Sequence, residues 1–205
     1  MPLEDHVGDI LRKARWHAGV SVEQAASVAG LSPRRWETIE ADGMVPWPVD
    51  YASAGRLLGL HAEKLKRIAN GWEPAPVNLA RWRRLRAVGT GAVGFSANSY
   101  LVWDEGSGEA ALFDTGFDAE PVLRLLGEHR LVLRFVFFTH AHQDHTAAWP
   151  QVHAVWPDAK RWPESAAAAI SLPARPFKLG GFSIAVRDTP GHTDDGVTYV
   201  VSGWP

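Results

Sequence analysis

The chain has 205 residues, of which 46% are hydrophobic and 21% are charged, and its formal net charge is −2. This balance is typical of a globular protein with one large domain or two small ones, and it provides no global positive charge for binding nucleic acid or anionic membranes. Because the chain has no cysteine, disulfides and thiolate metal sites are excluded, and any metal must be held by His, Asp or Glu.

The start of the sequence carries early acidic residues and no apolar segment of signal-peptide length, so we expect no export signal. The longest apolar run, residues 131–138, is interrupted by Arg134 and is too short to span a bilayer. The lack of cysteine is compatible with a reducing compartment. We therefore expect a cytoplasmic protein with no membrane partner.

Residues 1–73 carry apolar residues at three- and four-residue spacing, which is the helical pattern. The pattern predicts five short helices, at about 7–18, 22–30, 32–40, 50–58 and 61–69. The second follows Ser21 with Gln24 three residues later, which is a capping-box pattern. The third begins with Ser32 as N-cap and Pro33 at the first helical position, a strong start signal.

The chain changes character near residue 73, where a Pro-containing stretch at 73–76 precedes an Arg-rich one at 81–86. Beyond these stretches, short apolar segments alternate with Gly-rich turns, as in strands. The sequence therefore predicts a helical domain at 1–73, a linker at 74–87 and a second domain at 88–205.

In the second domain the sequence predicts strands and helices in alternation. Segments 98–103 and 110–113 are expected to form a hairpin through the turn at 104–108. The further predicted elements are a helix at 119–129, a buried strand at 133–138, a helix beginning near Asp144, and strands at 182–187 and 197–201.

Directly after the predicted strand at 133–138 the sequence reads THAHQDH, residues 139–145. His140 and His142 are two residues apart in an extended loop, so both rings can point to one side. Asp144 and His145 follow at once, and three imidazoles with one carboxylate match the ligand preference of zinc. The segment predicts a metal site, with a cluster of hydrogen-bonded loop histidines as the alternative. Iron or manganese would accept the same ligand types.

This histidine segment resembles the signature of the metallo-β-lactamase superfamily. Three further segments resemble that family and follow its order: NSYLV at 98–102, LFDTG at 112–116 and TPGHT at 189–193. The resemblance extends from about residue 88 to the end of the sequence. The first and last of these segments are most similar to the glyoxalase II branch, whose members hydrolyse thioesters and similar small substrates.

The resemblance implies ligands for two metal ions. The first ion would be held by three histidines: His140, His142 and His192. The second would take Asp144 and His145. The expected cofactor is therefore one or two Zn²⁺ ions.

The resemblance also implies roles for two carboxylates. Asp114, in the Asp-Thr-Gly turn, would support the ligands from behind, although an Asp that merely opens a turn is the alternative. Asp144 would be catalytic by orienting the attacking water or taking its proton. Zinc lowers the pKa of a bound water to about 7 and polarises a carbonyl group, which implies hydrolysis of a small ester- or thioester-like substrate.

The sequence departs from the family pattern after His192. The family has a further Asp that bridges the two metals and a final His, whereas this sequence has no later histidine. Asp194 and Asp195 stand where the family has small residues, and we interpret them as polar turn residues.

Three explanations of this departure are open: a piece of a longer protein, a natural truncation without activity, or completion by a partner chain. We favour the first, because a half-sandwich would expose strand edges and an apolar sheet face. The expected fold class is α+β, with an N-terminal all-α helix-turn-helix bundle followed by the first half of an αββα metallo-β-lactamase sandwich.

The second and third predicted helices, with the turn at Gly30 and Leu31, form a helix-turn-helix pattern that resembles the Cro/repressor type over residues 5–70. The resemblance implies that the third helix enters the major groove of DNA, with Arg34 and Arg35 near bases or phosphates. Residues 1–75 hold nine Lys or Arg and ten Asp or Glu, which is not the basic footprint of a tight DNA binder. A protein-interaction or dimerisation module is the alternative.

Two functions are therefore expected from the sequence. The first is a metal-dependent hydrolase with a small-molecule substrate. The second is a DNA-binding transcriptional regulator whose metallo-β-lactamase half senses a ligand or metal without turnover. A homodimer is compatible with either function.

Overall fold

The computed structural model of the chain describes residues 5–92, 95–164 and 172–203, and the side chains of all of these except residues 92, 95 and 96. The chain forms two compact units, Met1–Val77 and Asn78–Pro205. The division between them falls within the stretch that the sequence identifies as a linker. Among the described residues, no helix has the length and apolar character needed to cross a membrane.

The N-terminal unit contains all five of the predicted helices. They are α1 (Val7–His17), α2 (Val22–Val28), α3 (Pro33–Asp42), α4 (Tyr51–Leu58) and α5 (Ala62–Ala69). Side-chain caps explain where they begin: Ser21 and Gln24 form both hydrogen bonds of a capping box, and Ser32 accepts from the backbone N–H of Arg35. The apolar helix faces pack around Trp36, which is fully buried.

A buried ion pair joins α1 to α3 in this unit. Arg15 donates two hydrogen bonds to the Glu40 carboxylate, from Nε at 2.7 Å and from Nη2 at 2.8 Å. The indole N–H of Trp36 donates to the same carboxylate. The hydrogen bond with Glu40 is the main reason why the pKa of Arg15 is raised. Since an uncompensated buried charge is costly, the pair favours this one packing of α1 against α3.

The C-terminal unit contains a five-stranded sheet with the strand order β1-β2-β3-β4-β5. Its strands are β1 (Leu85–Ala92), β2 (Phe95–Trp103), β3 (Glu109–Phe113), β4 (Val132–Phe137) and β5 (Lys160–Trp162). β2 is antiparallel to β1 and β3, whereas β4 is parallel to β3 and β5. The parallel pairs need helical crossovers. The helices that follow β3 and β4 are α6 (Glu120–Glu128), α7 (Gln143–Thr146) and α8 (Trp149–Val155).

A second sheet of three antiparallel strands packs on the first. Its strands are β6 (Phe177–Leu179), β7 (Phe182–Asp188) and β8 (Val197–Ser202). Successive side chains of a strand point to opposite faces of the first sheet, so they form two apolar layers. On β2, Leu101 and Trp103 pack with α6 and α8, whereas Val102 packs with the second sheet. The described part of this unit is thus a layer of helices, a mixed sheet and an antiparallel sheet.

Among the described strands and α-helices of this unit, those that were not predicted from the sequence are β1, β5, β6 and α8. β1 begins at Leu85, three residues before the predicted start of the second domain, and its Gly-containing sequence resembles a loop. β5 and β6 have three residues each, so their sequences carry almost no periodicity. Pairing with neighbouring strands, rather than local sequence, makes these segments strands.

Two hydrogen bonds connect β8 of the second sheet with the segment that follows β4 in the first sheet. The Tyr199 hydroxyl donates to the Phe138 carbonyl at 2.6 Å, and the Val197 N–H donates to the Thr139 carbonyl at 2.9 Å. Burial raises the pKa of Tyr199 well above its ordinary value, so this hydroxyl stays protonated. These bonds hold the second sheet at the point where the histidine segment begins.

Replacing Tyr199 with Phe is expected to lower the free energy of unfolding by about 1–3 kcal/mol, because the Phe138 carbonyl loses its partner. Urea denaturation followed by circular dichroism measures this change. Tyr100→Phe on β2 is the matched control, since the Tyr100 hydroxyl has no hydrogen bond within the described part of the chain. Equal effects of the two changes would contradict the role given to the Tyr199 hydroxyl.

Candidate metal centre

Three histidine rings converge beyond the end of β4. His140 and His142 lie in the loop between β4 and α7, and His192 lies in the turn between β7 and β8. The distance from His140 Nε2 to His142 Nδ1 is 3.1 Å, and that from His192 Nε2 to His142 Nδ1 is 3.0 Å. The ligand atoms of all three rings lie within 4.8 Å of one another. The structure therefore brings together the three histidines assigned to the first metal.

The spacing of these nitrogens suits a metal ion. Zinc–nitrogen bonds of 2.0–2.1 Å in a tetrahedral site place ligand nitrogens about 3.3 Å apart, close to the two shorter separations in this cluster. A single proton on His142 Nδ1 can be donated to only one of the two nitrogens that face it. A cation among the three rings would satisfy all of them at once, so these residues fit a zinc ion.

His140 is the most enclosed of the three rings, since it is buried while His142 is exposed. Burial, followed by the nearby rings of His145, His142 and His192, lowers the pKa of His140 to about 4. The ring is therefore neutral at neutral pH, and the neutral imidazole is the form that binds a metal.

Asp114 lies directly behind this cluster, in the turn after β3. Its carboxylate is buried and accepts three hydrogen bonds, each 2.8 Å long: from Thr139 N, from Thr139 Oγ1 and from His145 Nδ1. The backbone of Asp114 has a φ of +58°, in the left-handed region, and its N–H donates to the Phe137 carbonyl at 2.8 Å. The structure thus places this carboxylate where it can hold the histidine loop.

The rest of the Asp-Thr-Gly turn is fixed by close packing. Thr115 donates from both its backbone N–H and its hydroxyl to the His145 carbonyl. Gly116 has a φ of +67°, and a Cβ at this position would lie 2.0 Å from Thr90 Oγ1. Only glycine fits there, because both the backbone conformation and the space exclude a side chain.

Asp144 and His145 lie beside the three-histidine group but are not members of its convergent set among the described residues. The centroids of the His145 and His140 rings are 4.1 Å apart. His145 Nδ1 faces Asp114, and its Nε2 lies 3.4 Å from Asp144 Oδ2. The two residues assigned to a second metal therefore adjoin each other at one side of the first group.

The other residues singled out from the sequence lie apart from this convergent group. Asp194 and Asp195 occupy the turn between His192 and β8 and are outside the set of described ligands. Arg34 and Arg35 are exposed in the first turn of α3 in the N-terminal unit, and the Arg35 guanidinium lies 5.2 Å above the Trp47 ring.

Sequence reasoning gave no role to two residues that hold the centre together, Thr139 and Tyr199. Thr139 stands inside the quoted motif, directly before His140, and that adjacency was the available signal. For Tyr199 the sequence offers only a polar aromatic residue in an apolar strand, and its partner is 61 residues away.

A convergent histidine set at the strand ends of a two-sheet sandwich defines a metal-binding protein of the α+β class. The family model described as the metallo-beta-lactamase superfamily matches residues 92–198, which is more than half of the chain. The chain therefore belongs to the metallo-β-lactamase superfamily. This result agrees with the resemblance seen in the histidine segment.

Curated relatives are similar over the same region. A hydroxyacylglutathione hydrolase of Hahella chejuensis (strain KCTC 2396) is 40% identical over 108 residues, which cover 50% of this chain and 42% of the relative. An Arabidopsis thaliana protein named hydroxyacylglutathione hydrolase cytoplasmic is 30% identical over 111 residues, covering 51% of this chain and 43% of the relative. The chain thus spans less than half the length of these relatives.

Among solved structures, ETHE1 from Myxococcus xanthus is similar with a TM-score of 0.48 and 26% sequence identity, covering 57% of this chain and 53% of that one. The BLEG-1 B3 metallo-beta-lactamase is similar with a TM-score of 0.47 and 23% identity, covering 56% of this chain and 66% of that one.

Asp114→Asn is expected to weaken zinc binding by about 10–100-fold, because the carboxylate that orients the ligand loop loses one acceptor oxygen. Asparagine tolerates the left-handed backbone, so the change tests the hydrogen bonds rather than the turn. Chelator competition measures the affinity. Asp118→Asn, at an exposed carboxylate nearby in the same segment, is the control. Wild-type affinity in Asp114→Asn would show that the carboxylate does not support the ligands.

Proposed function

We propose that this protein is a zinc-dependent hydrolase that acts on a small thioester- or ester-like substrate. The observation that carries the proposal is the convergence of His140, His142 and His192 within ligand distance of one another. The hydroxyacylglutathione hydrolases among the relatives support the substrate class, since their name describes a glutathione thioester. A cytoplasmic location is proposed with it, by analogy with the Arabidopsis relative.

In this proposal the three histidines hold the first zinc ion, which when bound supplies an activated water and polarises the substrate carbonyl. Asp144 orients the attacking water or takes its proton, as a partly exposed carboxylate beside the ligands can do. Asp144 and His145 also offer one oxygen and one nitrogen to a second metal ion. Iron or manganese is compatible with such ligands.

The burial of the three rings indicates where a substrate would approach. His140 is buried, whereas His142 is exposed and His192 is half-buried, so one side of the cluster opens to solvent. Asp144 retains about a quarter of its side-chain exposure, 26%, and is therefore accessible from outside. We expect a small substrate to approach from this open side.

The purified protein is expected to contain about one zinc equivalent after mild dialysis, as measured by mass spectrometry. His140→Ala should remove most of that zinc and the metal-dependent hydrolysis of a hydroxyacylglutathione. His153→Ala is the matched control, because His153 is an exposed histidine that stacks on Trp149 in α8 and lies outside the cluster.

Less than about half an equivalent of zinc in a folded wild-type sample would overturn the metal assignment. Thioester hydrolysis that survives both chelation and His140→Ala would show that another site carries the activity. Zinc content and hydrolysis are measured on the same preparation, so the two failures can be told apart.

As the alternative function, we propose DNA binding by the N-terminal unit. It is supported by the capped starts of α2 and α3, the short connection between them, and the exposure of Arg34 in the first turn of α3. Arg35 is held against the Trp47 ring, which reduces its freedom before any contact with a phosphate. The protein would then be a regulator whose metal-binding unit senses a ligand or metal without turnover. Dimerisation through the same helices is the competing role.

Binding to DNA from upstream of its own coding region is expected to be strongest at low salt and to weaken as salt rises. If Arg34 contacts a phosphate, Arg34→Ala should weaken binding to DNA of any sequence. It should also reduce by about one the slope of the logarithm of the binding constant against the logarithm of the salt concentration. Arg56→Ala, in α4, is the control, because its guanidinium donates to Ser53 within its own helix. Absence of DNA binding at low salt would exclude the proposed regulatory function. A concentration-dependent dimer without DNA binding would favour an interaction module.

A further inference from the structure

Thr139 lies between Asp114 and His140 and forms hydrogen bonds with both. Its hydroxyl oxygen is 2.8 Å from Asp114 Oδ2 and 3.0 Å from His140 Nδ1. Its backbone is held on both sides as well, since its N–H donates to Asp114 Oδ1 and its carbonyl accepts from the Val197 N–H. The hydroxyl therefore occupies a defined position between a buried carboxylate and a ligand ring.

The chemistry of these three groups determines the direction of each hydrogen bond. An ionised carboxylate only accepts, so the single hydroxyl proton of Thr139 goes to Asp114. The hydroxyl oxygen can then only accept from His140, which must carry its proton on Nδ1. The lone pair of His140 is thereby left on Nε2, the atom 3.1 Å from His142 Nδ1 in the convergent group.

We propose that Thr139 is a positioning residue that fixes the tautomer of His140 and so presents its Nε2 to the metal. The inference rests on the proposed metal site, and it assigns to Thr139 a role that the ligand set alone does not contain. The tautomer of a metal-binding histidine is set by the partner of its other nitrogen, and here that partner is a hydroxyl rather than a carboxylate.

The same carboxylate acts directly on the neighbouring ring. His145 Nδ1 is 2.8 Å from Asp114 Oδ2, so this ring also carries a proton on Nδ1. Asp114 thus orients His145 directly and His140 through Thr139. Loss of the Thr139 hydroxyl would release one ring while the other stays held, which separates the role of Thr139 from that of Asp114.

Two substitutions at Thr139 distinguish positioning from packing. Thr139→Val keeps the shape of the side chain and removes the hydroxyl, whereas Thr139→Ser keeps the hydroxyl and removes a methyl group. The whole chain, labelled with ¹⁵N-histidine and freed of metal by chelation, is examined by long-range proton–nitrogen NMR, which reports the protonated nitrogen of each ring. Zinc affinity of the same samples is measured by chelator competition.

We expect wild type and Thr139→Ser to carry the His140 proton on Nδ1 and to bind zinc with similar affinity. Thr139→Val should shift the proton towards Nε2 and weaken zinc binding by about 10–100-fold, while the His145 tautomer stays unchanged. Wild-type zinc affinity in Thr139→Ser would show that the loss in Thr139→Val comes from the missing hydroxyl, because a packing defect would weaken zinc binding in Thr139→Ser too.

An Nε2-protonated His140 in the wild-type chain would overturn the inference, and this measurement needs no variant to fold. Equal zinc affinity of Thr139→Val and wild type would also overturn it. Failure of the folded wild-type chain to bind zinc would instead overturn the proposed function, so the two failures give different results.

Discussion

The candidate metal centre depends on one buried carboxylate, that of Asp114. A buried charge is stable only when hydrogen bonds compensate it, and this one is compensated by two donors of Thr139 and by the His145 ring. Because Thr139 belongs to the loop between β4 and α7 and His145 belongs to α7, the need to compensate the charge also sets the path of that loop into the helix. The positions of the His140 and His145 rings therefore follow from the electrostatics of the buried Asp114 carboxylate.

The second constraint is the connection between the two sheets. His192 belongs to the turn before β8 and reaches the other histidines because β8 is held by the Tyr199 hydroxyl and the Val197 N–H. Aromatic packing of Phe113, Phe137 and Tyr199 fills the space between the sheets. The packing of the sandwich thus brings the third histidine to the group, and a loosened sheet interface would separate it from the two loop histidines.

In the N-terminal unit, local sequence signals predicted the starts of helices but not the contacts between them. The starts of α2 and α3 were predicted because Ser21 and Ser32 cap them through hydrogen bonds within three residues. The ion pair of Arg15 and Glu40 was not predicted, since its partners are 25 residues apart. In the sequence, neither residue differs from the other charged residues of the helices. In the other unit β5 and β6 were missed for a similar reason: three residues have no period of their own, and only neighbouring strands define them.

The sequence by itself indicated the family and a candidate metal site, because His140, His142, Asp144 and His145 stand within six residues. It did not determine that His192, 50 residues from His142, completes the group, except through resemblance. Nor did it determine which nitrogen of His140 faces the cluster. Only the tertiary structure decided these points, because they depend on hydrogen bonds between segments 25 or more residues apart, whose approach is set by sheet packing.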